Sequence, residues 1–159
     1  MGQQNQVVYG AEFDAVAIST AVDLFHVTVA TDRPVEVMGM HLFQTTDLGD
    51  AAEEVIRIAL VRAVTGGGTG GTAETEYVYS NAAAGTTNTA AVLTVNTTVS
   101  TGGTIIDHIG WNVRIPLIWE PIPELRPKFS AAEDPFVFRL LAAPADAITC
   151  TGVLLWTEI

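Results

Sequence analysis

The chain has one cysteine, one lysine and no long apolar run, and each shortage removes a class of protein. With Cys150 alone, no internal disulfide forms, so the fold rests on packing. A chain of 159 residues buries enough surface to do without staples. Cys150 sits in the apolar stretch Ala147 to Trp156, with no His or Lys beside it in sequence to stabilise a thiolate. It reads as a small buried residue and not a nucleophile. No apolar stretch approaches the roughly 20 residues of a membrane helix. The first residues, Met1-Gly2-Gln3-Gln4-Asn5-Gln6, are polar and lack the basic start and apolar run of a secretory signal. The expectation is a soluble protein synthesised in a cytoplasm.

Bases are also scarce. The chain holds 18 acids against 7 bases, a formal charge of −11, and Lys128 is its only lysine. Such a field repels phosphate backbones and anionic membrane surfaces, so neither nucleic acid nor membrane is an expected partner. Charged residues of either sign make up only 16% of the chain, against roughly 25% in a typical soluble domain. Thr, Ala and Gly fill the gap. A monomer normally covers its surface with charge. A surface this poor in charge is explained if part of it is buried against other protein subunits.

What is present is a series of short alternating runs punctuated by Gly, Pro, Asp and Asn, the pattern of antiparallel strands. Runs occupy Phe13 to Thr20, Val22 to Ala30, Val35 to Gln44 and Val55 to Val64. Others fall at Glu76 to Ser80, Ala91 to Thr98, Thr104 to Trp119, Pro135 to Leu141 and Ile148 to Glu158. In the first run, Phe13, Ala15 and Ala17 alternate with Asp14, Val16 and Ile18. In Val55 to Val64, Ile56, Ile58 and Leu60 share one face. Its β-branched content favours strand over helix. Thr65 to Thr72 reads as a flexible glycine loop, and Pro121 to Pro135, with four of the seven prolines, as an ordered surface loop. Pro116 suits an edge or a bulge. The spacing predicts an all-β, antiparallel β-sandwich of about eight to ten strands, with a jelly roll as its most economical wiring. Residues 1–10 are expected to form an N-terminal arm and residues 11–159 the single domain.

No motif carries catalytic chemistry, and no cofactor is expected. The run Gly66 to Gly71 lacks the Lys and the following helix of a phosphate-binding loop. Asp47, Asp50, Glu53 and Glu54 gather four carboxylates around Gly49 and are the first candidates for a hard cation such as calcium. A carboxylate-rich helix start would explain them as well. His26, His41 and His108 lie on separate runs and read as ordinary strand histidines unless the fold assembles them around zinc. Asp107 and His108, neighbours on a strand, point to opposite faces and make no triad. No Gly-x-Ser-x-Gly elbow is present. Trp111, Trp119 and Trp156 lie in alternating strands, which predicts core or interface packing over a sugar-stacking platform. Asn96-Thr97-Thr98 matches a glycosylation sequon, with no secretory signal to give it meaning.

Several segments resemble a family of small proteins encoded among the structural genes of tailed bacteriophages and prophages. They are Gly49-Asp50-Ala51-Ala52-Glu53-Glu54 with the strand after it, Val95-Asn96-Thr97-Thr98, Trp111-Asn112-Val113-Arg114, Pro121-Ile122-Pro123-Glu124 and Ala142-Ala143-Pro144-Ala145-Asp146. The resemblance implies a virion component. A capsid decoration or cement protein fits best: non-enzymatic, on the outer capsid surface, often a homotrimer, with the major capsid protein or other virion subunits as partners. The competing expectations are a tail or head-fibre module that binds host carbohydrate, and an enzyme built on a His–carboxylate cluster.

Overall fold

The structure is a computed structural model and describes residues 7–45, 54–79 and 88–159. Twelve strands are described: β1 (Val8–Ile18), β2 (Asp23–Thr28), β3 (Val35–Gln44), β4 (Val55–Arg62), β5 (Thr72–Ala73) and β6 (Tyr77–Val78), followed by β7 (Ala91–Asn96), β8 (Thr104–Asn112), β9 (Leu117–Trp119), β10 (Lys128–Phe129), β11 (Phe136–Leu140) and β12 (Ile148–Glu158). The helical content described is two single 3-10 turns, Pro123–Leu125 and Ala131–Glu133. One sheet runs β10-β3-β12-β1-β6, with β9 also paired to β3, and the other runs β5-β7-β2-β11-β4-β8. Both are antiparallel, and they pack face to face as an all-β sandwich.

Alternation produces this packing. Ile56, Ile58 and Leu60 turn inward from β4, as do Phe25 and Val27 from β2, and all of them are buried in one core cluster with Met40, Leu42 and Leu154. Three aromatic pairs join the sheets across that core. Phe13 meets Phe25 at 5.3 Å, Phe129 stacks on Phe136 at 4.0 Å, and Trp119 meets Phe138 edge-on at 5.5 Å. Such pairs add roughly 0.5–1.5 kcal/mol each beyond the area they bury.

The structure departs from the sequence reading at four places. Strand β1 begins at Val8, and Val8, Tyr9 and Gly10 pair with Thr157, Trp156 and Leu155. Those three residues, placed in an arm from composition, thus belong to the sandwich, while residues 1–6 lie outside the described residues. Strict alternation put Phe13 and Ile18 on opposite faces, yet both are buried in the same core. A bulge between Phe13 and Val16 reverses the alternation, as one extra residue must. Ala15 takes a φ of 49° there, and its N–H is held by Thr151 Oγ1 at 3.0 Å.

The glycine run, read as a flexible loop, is pinned along its length. Gly66 bridges Thr101, Thr69 bridges Thr98, and Thr72–Ala73 pairs with β7. Two of its glycines lie against buried polar side chains: a Cβ on Gly68 would come within 2.6 Å of Asn96 Nδ2, and one on Gly71 within 2.0 Å of Asn96 Oδ1. The proline-rich stretch contributes a strand of its own, β10, whose Phe129 is fully buried. Pro116 falls in the turn between β8 and β9.

Candidate functional site

The buried side chains of Asp23, His26, Asn96 and Ser100 form one polar cluster with Arg139 at the corner of β2, β7 and β11. Asp23 is fully buried and accepts from Arg139 Nε at 2.9 Å and from the Ser100 N–H at 2.7 Å. Arg139 also donates to Ser100 Oγ at 2.6 Å, and Asn96 Nδ2 lies 3.4 Å from His26 Nδ1. Burial lowers the His26 pKa and outweighs the carboxylates of Asp23 and Asp134, which act to raise it. The glycine run closes over this cluster. Apart from Asn96 Oδ1, which is buried without a hydrogen-bond partner, the polar groups of the cluster pair with one another and fix the corner of the fold.

The sequence candidates disperse. His26 is buried on β2, His41 on β3 pairs with Glu120 at 2.8 Å, and His108 is exposed on β8. Among the described residues no group of three or more His, Cys, Asp or Glu is placed to hold a metal ion. Of the four acidic candidates, Asp47, Asp50 and Glu53 lie outside the described residues. Glu54 accepts the Ala145 N–H through both carboxylate oxygens, at 2.9 and 3.0 Å, tying the start of β4 to the β11–β12 connection. Cys150 is fully buried, and burial pushes its thiol up to about 12. Trp111 and Trp156 are core residues, so neither offers a stacking face, and Trp119 is half-buried against Phe138.

Two surface features remain. The first is the side where β8 ends one sheet and β9 flanks β3 in the other. From Thr104 to His108 every residue of β8 is exposed, and no strand pairs its outer edge among the described residues. Ile105 and Ile106 stand there, and Ile115, Ile118, Ile122 and Leu125 follow on the turn, on β9 and on the loop beyond; Ile118 is 66% and Leu125 71% exposed. Long edges with bare aliphatic side chains are what isolated β-proteins avoid, because they invite pairing with another chain. The sequence hid this feature: the Ile-Ile pair in β8 reads as core by composition, and only the sheet order shows that β8 is terminal.

The second feature is a cleft of ≈ 490 Å³ at the opposite side, between the β1 bulge and the β5–β7 pair. Glu12, Asp14 and Glu74 line it with Thr72, Thr94 and Thr97. Asp14 accepts from Thr151 Oγ1 at 2.8 Å and Glu74 from Thr94 Oγ1 at 2.7 Å. Val95 borders the same cleft with a φ of 50°, a conformation rare for a β-branched residue.

Comparison of the chain with protein-family models, with curated proteins and with solved structures finds no match.

Proposed function

We propose that this chain is a non-enzymatic virion structural protein, a capsid decoration or cement subunit that binds the head shell through protein–protein contacts. The observation that carries the reading is the exposed aliphatic side at β8 and β9, which a solitary soluble domain would cover with charge. The low charge content of the chain supports it. The strand order supports it further. Setting aside β5, β6, β7 and β10, β1-β12-β3-β9 face β2-β11-β4-β8, and the chain passes from one sheet to the other at most of its connections. We read this as jelly-roll wiring, with the β5–β7 segment inserted between β4 and β8, its β5 and β7 laid on the β2 edge and its β6 on the β1 edge. Jelly rolls are a recurrent architecture of capsid and lectin domains, so the wiring favours a binding role without choosing the partner.

The resemblance to tailed-phage structural proteins favours the virion among such partners. The test is to purify particles from cells carrying the replicon that encodes the chain and to measure its copy number per particle by quantitative mass spectrometry. The expected result is a stoichiometric, surface-accessible subunit whose occupancy falls when Ile118→Asp and Leu125→Asp are combined. Particles devoid of the chain would refute the proposal. Occupancy unaffected by the double substitution would refute the placement of the contact.

A further inference from the structure

The two surface features lie at opposite sides of the sandwich, and their chemistry is complementary. The cleft side is acidic without relief: none of the seven bases of the chain lies on β1, β5, β6 or β7. The other side reads differently when the faces of β4 and β8 are separated. Ile56, Ile58 and Leu60 fill the core, so Val55 and Arg57 stand on the outer face, where both are exposed. Ile105 pairs with Val61 on that same outer face, where Ala59 and Val61 are buried in a second small core with Val64 and Val137, so Val55, Arg57, Ile105 and His108 are its exposed side chains. Asp107 pairs with Leu60 in the core-facing column, but at the exposed end of β8. The paired residues of the outer face therefore carry Arg57 and His108 and no carboxylate.

We propose that copies of this chain associate head to tail, the outer β4–β8 face of one copy seating on the acidic cleft of the next. In that contact Arg57 meets Glu12 and Asp14 at the mouth of the cleft, and Val55 and Ile105 are removed from water. The inference rests on the reading that the chain packs against protein subunits, and it names one of those subunits as a second copy. A contact between two different surfaces is heterologous, so it closes into a ring when the rotation per copy divides a full turn. A two-fold pairing of like surfaces would set Arg57 side against Arg57 side and lose the complementarity. The opposition of charge sets the register and the salt dependence, and the aliphatic residues supply the desolvated centre.

The experiment is light scattering on the full chain over a concentration series at low and high salt, with Arg57→Glu, Glu12→Arg and the two combined in one chain. Both positions are exposed and accept the change without repacking, which an unchanged melting temperature verifies. The expected result is an oligomer weakened at high salt, weakened about tenfold or more by either single substitution, and restored by the double swap. A wild-type oligomer indifferent to both substitutions would overturn this contact while leaving subunit packing intact. A wild-type chain monomeric at every concentration and salt would overturn self-association altogether, and particle occupancy then decides the decoration role separately.

Discussion

Replacing Asp23 by Asn tests whether the buried polar corner holds β7, β2 and β11 together. Asp23 has no exposure and two charge-assisted partners, the Arg139 guanidinium at 2.9 Å and the Ser100 N–H at 2.7 Å. Asparagine keeps the shape but offers one acceptor oxygen where the carboxylate offers two, and its NH2 must face a donor. One partner is therefore left unsatisfied, and Arg139 loses its counter-charge with only 16% of its side chain exposed. Breaking a buried pair from one side costs about 3–5 kcal/mol. The residual exposure of Arg139 lets water recover part of that, which places the expected loss near the lower bound, about 3 kcal/mol. For a chain of this size each kcal/mol lowers Tm by about 2–4 °C, so the expected drop is about 6–12 °C. Urea denaturation should show a lower midpoint with an unchanged slope. Adding Arg139→Met to Asp23→Asn removes the stranded charge and should recover part of the loss. A drop below about 2 °C would refute the argument that this pair is held by desolvated partners.

Three further outcomes follow from the same structure. Gly71→Ala pushes a methyl into Asn96 Oδ1 and should cost about 1–3 kcal/mol, whereas Gly67→Ala, with nothing within 4 Å, should be neutral or stabilise by about 0.4–1 kcal/mol; equal effects in chemical denaturation would return the glycine run to a loose loop. Burial holds the His26 pKa below its ordinary 6.5, so the unfolded chain binds the proton first, and the contribution of His26 is complete above about pH 6.5 and is lost as pH falls below it. Denaturation midpoints measured from about pH 5 to 7.5 should decline on the acid side and flatten in His26→Gln, and a slope unchanged by the substitution would refute the assignment. Cys150, with its thiol pushed up to about 12, should resist a thiol reagent in the native protein at about pH 8 and react once urea unfolds it; rapid labelling of the native chain would contradict its burial.

Much of the fold was legible because antiparallel strands write their burial into a period of two. The run Val35 to Gln44 coincides with β3 and Ile148 to Glu158 with β12, both of which are long and bounded by turn residues. Legibility failed where a single residue or a distant partner changed the rule. Nothing local to Asp14-Ala15 announces the bulge, because it is stabilised by Thr151 across the sheet. Nothing in Gly66 to Gly71 announces order, because the reason for Gly68 and Gly71 lies in Asn96 and Asp23 beneath them. The candidate surface failed in the same way, since Ile105 and Ile106 carry the same side chains as core residues.

By itself the sequence determined the all-β class, the approximate strand list, the burial of the cysteine and a low content of charge. These follow from composition and short-range periodicity, which act on each segment without reference to the others. The tertiary structure alone decided which strands end the sheets, which polar groups meet in the buried corner and where acid and base are segregated. Those depend on strand order and on contacts between residues far apart in the chain, such as Asp23 with Arg139, which no local pattern encodes.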